Sequence, residues 1–135
     1  MNKLLVVIAA LLLSGCAEKE EYQNVVLEQM KVEKDLKDYG IEPEKMTKCV
    51  VETSSNKMPG LFLIDPDRRT AYKNYAKMLD LNKSKDPQKT LSELREIFGD
   101  PKKLADAHSN YVESVVECMT GLVTSGEESL KKPKE

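Results

Sequence analysis

Cysteine and histidine are the residues of this chain with the widest chemical repertoire, and it has only four of them: Cys16, Cys49, Cys118 and His108. Any Ser-His-Asp or Cys-His arrangement must use His108. Its neighbours Ser109 and Asp106 lie one and two positions away, and helical residues at these spacings do not face each other. The sequence has neither a Gly-rich phosphate loop nor a His-Glu-x-x-His motif. We therefore expect His108 to be a hydrogen-bonded structural residue and the protein not to be an enzyme.

The amino terminus has the pattern of an export signal. One basic residue, Lys3, precedes ten consecutive apolar residues, Leu4 to Leu13. Ten helical residues span about 15 Å, half of a bilayer core of about 30 Å, so the run is too short for a stable transmembrane helix. The pattern predicts a cleaved signal peptide over residues 1–15.

The end of this segment, Leu13-Ser14-Gly15-Cys16, resembles the lipobox of bacterial lipoproteins. The resemblance covers the first sixteen residues and implies a diacylglycerol on the Cys16 sulfur, with the peptide cut before it. Two or three acyl chains anchor a protein durably to a membrane, whereas a single chain binds only reversibly. Ala17, rather than Asp, follows the cysteine, as in enteric family members sorted to the outer membrane. We expect a lipid anchor at the periplasmic face of that membrane, or on the outer face of a single membrane in a Gram-positive source.

A lipidated Cys16 leaves Cys49 and Cys118 as an even pair in an oxidising compartment, which favours a disulfide. Closing a loop of about 70 residues stabilises a fold by roughly 4 kcal/mol in the chain-entropy model. A reactive thiol pair or a soft-metal site is the alternative, but neither has the close Cys-x-x-Cys spacing that would support it.

Periodicity in the rest of the chain is helical, with apolar residues three and four apart and no sustained alternation. Pro43 suits the first turn of a helix, and Asp-Pro pairs at 65–66, 86–87 and 100–101 mark three further starts. These patterns predict an all-α bundle of about five helices over residues 22–124. A bridge between Cys49 and Cys118 would join the second helix to the fifth. A short tether over 16–21 precedes the bundle, and a mobile charged tail over 125–135 follows.

The distribution of charge and one run of apolar residues suggest where a partner would bind. Residues 18–52 contain ten acidic and six basic groups, whereas 66–89 contain three and seven. Arg69, Lys73 and Lys77 recur at every fourth position on one helix face, either as a solvated face or as a contact for an anionic partner. The apolar run Leu61-Phe62-Leu63-Ile64 is expected to be buried in the core. If it were exposed, it would be a candidate protein-binding patch.

The formal net charge of −2 and the absence of tryptophan disfavour nucleic-acid binding. We expect a lipid-anchored adaptor that binds another envelope protein or a cell-wall component. A secretin-escorting pilotin is one such role, on architectural likeness alone. The alternative is a lipoprotein that binds haem, copper or a lipid, with ligands from His108 and the methionines. Core packing is the expected role of five methionines: Met30, Met46, Met58, Met78 and Met119.

Overall fold

The computed structural model describes the backbone of residues 2–131 and the side chains of residues 17–126. Within that range the protein is helical and contains no strand. A single 3-10 turn at Leu81–Lys83 joins the fourth and fifth helices. The helices are α1 (Asn2–Val32), α2 (Lys34–Asp38), α3 (Pro43–Ser55), α4 (Pro66–Leu79), α5 (Pro87–Phe98) and α6 (Pro101–Lys131). The all-α prediction is confirmed.

Three helices begin at the predicted Asp-Pro pairs, and in each the aspartate caps the first turn. Asp65 accepts a hydrogen bond from the amide of Asp67 at 3.0 Å, and Asp86 accepts one from Lys89 at 3.0 Å. Asp100 accepts one from the amide of Lys103 at 2.7 Å. The carboxylates satisfy amides that have no partner within the helix, and the prolines have no N–H to satisfy.

Two helix boundaries differ from the sequence-based expectation. The three-and-four spacing of apolar residues from Tyr22 to Tyr39 predicts one helix that ends at Gly40. The chain instead leaves α1 at Glu33, whose backbone is extended, before the short α2. The positive φ of Gly40, 64°, then reverses the chain toward α3. At the other end, α6 continues to Lys131, so helix occupies the first part of the segment predicted to be a mobile tail.

Helices α1 and α4 pack side by side and run in the same direction. Their contacts occur in the same order along both helices: Glu18 with Arg69, Tyr22 with Tyr72 and Tyr75, and Glu28 with Lys83 just beyond α4. The first turn of α4 therefore lies beside the part of α1 that follows Cys16.

Helix α3 packs against both α1 and α6 and is antiparallel to α6. Cys49 and Cys118 form the predicted disulfide, with a Cα–Cα distance of 5.9 Å. Five residues further along α3, the backbone carbonyl of Ser54 accepts a hydrogen bond from Asn110, which precedes Cys118 in α6. The bridge closes a loop of 69 residues, which corresponds to about 4 kcal/mol of stabilisation in the chain-entropy model.

A network of buried hydroxyl and amide groups joins α1, α3, α4 and α6 inside the apolar core. Tyr22 is fully buried, and its hydroxyl lies 2.9 Å from that of Ser54. The amide of Asn110 donates to the Tyr75 hydroxyl at 3.0 Å, and Ser55 bonds to the Tyr72 hydroxyl at the same distance. Burial raises the pKa of Tyr22 and of Tyr75, so both stay protonated and able to donate.

Tyr22→Phe should destabilise the fold by about 0.5–1.5 kcal/mol, because the buried Ser54 hydroxyl loses its bond to Tyr22 and keeps only the longer one, at 3.4 Å, to the Val51 carbonyl. The measurement is urea unfolding followed by circular dichroism. Tyr39→Phe is the matched control, since Tyr39 is 62% exposed and its hydroxyl keeps its access to water. Equal unfolding free energies for the two variants would show that the network does not stabilise the fold.

Candidate functional site

The end of the bundle nearest Cys16 brings together the start of α4, the segment that joins α3 to α4, and the part of α1 after the cysteine. We call it the Cys16 end, formed by residues 17–22 and 56–69. The side chain of Cys16 itself lies outside the described residues. Glu18, only two residues later, is already part of the folded body, because its carboxylate accepts a hydrogen bond from Arg69 at 2.9 Å.

The Glu18–Arg69 pair is half-buried at the contact between α1 and α4, with side-chain exposures of 22% and 29%. The Arg69 guanidinium holds the pKa of Glu18 below its ordinary value, chiefly through their hydrogen bond, and the carboxylate raises the pKa of Arg69. Residues 17–21 are helical, so Cys16 connects to the body through a continuing helix. The sequence did not point to Glu18, because its partner lies 51 residues away.

The three cations predicted to form a basic stripe have different environments. Arg69 pairs with Glu18, and Lys77 pairs with Glu93 of α5 at 2.8 Å. Lys73, between them on the same face of α4, is exposed. The outer two cations thus connect α4 to its neighbouring helices, and Lys73 is the member of the stripe that presents its charge to solvent.

The apolar run Leu61–Ile64 is exposed, so its expected place in the core is wrong. Leu61 is 83% exposed, Phe62 69% and Ile64 60%. The core between α3 and α4 is occupied by other buried side chains, including Met58, Tyr72 and Tyr75. The run therefore lies in the loop before α4, at the Cys16 end.

Hydrogen bonds to the loop backbone hold this apolar run in place. Arg68 donates to the carbonyls of Ser55 and Gly60, and Asp65 accepts from the amide of Leu61 at 3.1 Å. Gly60 has a φ of 83°, and a Cβ there would lie 2.6 Å from the Arg68 amide nitrogen. Arg68 was not singled out from the sequence because its partners are backbone carbonyls, which leave no signature in residue type.

The spacing of Leu104, His108, Tyr111, Val115, Cys118 and Leu122 predicts an apolar face of α6 that includes His108. His108 is instead exposed. The buried face of α6 is rotated from the predicted one and includes the small or polar residues Ala107, Asn110 and Ser114. Small side chains suit the close approach of α3 and α6 at the disulfide, and the rotation places His108 outside the interface. It lines an open groove of about 760 Å³ beside α5, together with Leu91 and Leu104.

A second open groove, of about 640 Å³, lies at the end of α5 and is lined by Tyr75, Ile97, Phe98 and Asn110. Four of the five methionines considered are buried in the core, as expected, and Met119 packs against it. Among the side chains of residues 17–126, no three His, Cys, Asp or Glu residues are grouped so as to hold a metal ion. No helix in the described part of the chain has the length and apolar character needed to cross a membrane.

Comparisons of the chain with protein-family models, with curated proteins and with solved structures found no match.

Arg69→Gln should lower the melting temperature at pH 7 more than Lys73→Gln, a matched loss of charge one turn further along α4. The pKa of Glu18 is depressed in the folded state, so the pair stabilises the protein above the ordinary glutamate pKa of about 4.3. This stabilisation is lost as the pH falls through the lower folded value. The difference in melting temperature between wild type and Arg69→Gln should therefore become smaller below about pH 4.

Melting curves of the three proteins between pH 7 and pH 3 make this measurement. A difference that stays constant over this range would mean that Arg69 stabilises the fold through packing of its side chain and not through the Glu18 carboxylate.

Proposed function

We propose that the protein is a lipid-anchored, non-enzymatic interaction protein of the bacterial cell envelope. Its Cys16 carries the lipid at the periplasmic face of the outer membrane, and its helical body binds another envelope protein or a cell-wall component. An assembly accessory resembling a pilotin is a special case of this role.

The observation that carries this proposal is the short distance between the lipobox-like cysteine and the folded body. Glu18 already contacts α4, and Tyr22, the first fully buried residue after Cys16, lies six positions from it. A helix rises 1.5 Å per residue, so about 9 Å separates Cys16 from Tyr22. A lipid at Cys16 would hold the body directly against the membrane surface.

A binding role is favoured over catalysis by what the reactive side chains do. Two of the three cysteines form the disulfide between α3 and α6. Burial raises the pKa of Tyr22 and of Tyr75, and it raises the pKa of Tyr111 to about 12. These groups stabilise the fold, which leaves its surface for recognition.

Small-ligand binding, the alternative function, would be supported by a deep apolar cavity. The two grooves beside α5 are instead both open to solvent, and α5 contributes lining residues to each. Open surfaces of this kind suit contact with a macromolecule better than enclosure of haem, copper or a lipid, because buried ligands lose most of their surface to the protein.

Cys16→Ser should abolish incorporation of a labelled fatty acid and move the protein from the membrane fraction to the soluble fraction, because serine has no thiol to receive the diacylglycerol. Cells that express either chain are labelled, fractionated and probed for the protein. Ala17→Ser is the matched control, since it changes the adjacent residue and keeps the thiol. Unchanged labelling of Cys16→Ser would overturn the proposed anchor.

A photo-crosslinking residue in place of Lys73 should give a discrete adduct with one envelope component in cells, because Lys73 is exposed on the face of α4. The adduct should be lost in the Cys16→Ser background, which removes the body from the membrane. The same residue in place of Lys48, exposed on α3, tests whether the adduct is specific to this face. Identical adducts at both positions, independent of Cys16, would contradict a defined partner surface on α4.

A further inference from the structure

We infer that the exposed apolar run Leu61–Ile64 is a membrane-inserting wedge that enters the same lipid surface as the Cys16 anchor and fixes the orientation of the body on it. This inference rests on the proposed lipid anchor. It assigns the exposed run to a lipid surface and not to a protein partner.

The parallel packing of α1 and α4 places the wedge and the anchor at the same level. Glu18 and Arg69 are side by side at 2.9 Å. Cys16 lies two residues before Glu18, about 3 Å further toward the end of the bundle at the helical rise. Asp65 lies four residues before Arg69, about 6 Å further in the same direction, and the wedge precedes Asp65 in the chain. A surface that receives the lipid of Cys16 therefore meets the wedge.

The wedge presents its apolar side chains outward on a backbone that is already fixed. Leu61 is 83% exposed and Phe62 is 69% exposed. The Leu61 amide donates to Asp65, and the Phe62 carbonyl accepts from the Asp65 amide at 3.0 Å. Insertion of a pre-ordered loop loses little conformational entropy, and these bonds satisfy backbone groups that would be costly to bury in lipid.

Of the four charged residues that follow the wedge, three are turned toward internal partners, and the side chain of the fourth, Asp67, is exposed. Asp65 accepts from the backbone amides of Leu61 and Asp67, Arg68 donates to two backbone carbonyls, and Arg69 pairs with Glu18. Approach to a lipid surface therefore costs less desolvation here than it would with solvated charges. Exposed apolar side chains beside internally bonded charges suit the boundary between headgroups and acyl chains.

The chain contains no tryptophan, so a single introduced tryptophan reports directly on the wedge. Phe62→Trp in the full lipidated protein, reconstituted in phosphatidylethanolamine–phosphatidylglycerol vesicles, should give blue-shifted emission that brominated lipids quench. Val116→Trp, at an exposed apolar position on α6, is the matched control and should stay accessible to aqueous iodide. Circular dichroism checks that each variant folds, and Leu61→Trp replaces Phe62→Trp if that variant does not.

Fatty-acid labelling of the same samples separates the two proposals. Labelled protein whose tryptophan at position 62 stays accessible to iodide overturns the wedge and leaves the anchor intact, and the run is then available to a protein partner. Protein that takes up no label overturns the anchor and, with it, the wedge. Labelled protein quenched by brominated lipid at position 62 and not at position 116 supports the inference.

Removal of apolar area gives an independent measurement without the anchor. In the Cys16→Ser background, the double substitution Phe62→Ser and Ile64→Ser should weaken binding to the same vesicles by about tenfold, since it removes apolar surface that the lipid would bury. Val112→Ser with Val116→Ser is the matched control and should leave binding unchanged, because these exposed residues lie on α6. Equal weakening by both pairs would overturn the wedge.

Discussion

The bundle depends on satisfying tyrosine hydroxyls that are buried with their rings. Tyr22 of α1 lies between the rings of Tyr72 and Tyr75 of α4, with centroid distances of 5.9 and 5.8 Å. The rings supply apolar area, but each hydroxyl needs a partner in a place that water does not reach. Ser54 and Asn110 supply partners, and because hydrogen bonds have narrow geometry, they also fix the register of α3 and α6 against the tyrosine helices.

Local rules made much of this fold predictable from the sequence. The starts of α4, α5 and α6 follow from the chemistry of an aspartate before a proline, which acts within a few residues of the chain. The pairing of Cys49 with Cys118 followed from a count of cysteines together with the predicted export signal, and the structure contains that disulfide. Both inferences needed only short-range chemistry or a choice between few possibilities.

Features set by distant residues were not predictable in this way. Leu61–Ile64 has the composition of a core segment, and only the assembled bundle shows that buried side chains of α3 and α4 leave no place for it. The periodicity of α6 indicated its apolar side but not the rotation toward Ala107 and Ser114, which depends on how closely α3 approaches. The partners of Arg69 and Lys77 belong to other helices, so a helical stripe of cations could not reveal that both are paired.

Helix α5 is the helix held least firmly of those that line the grooves. It contributes one buried residue, Leu94, and takes no part in either the disulfide or the buried network of hydroxyl groups. Such an element exchanges its amide hydrogens through local opening at a free energy well below that of global unfolding. Because α5 contributes lining residues to both grooves, each such opening changes the shape of both grooves at once.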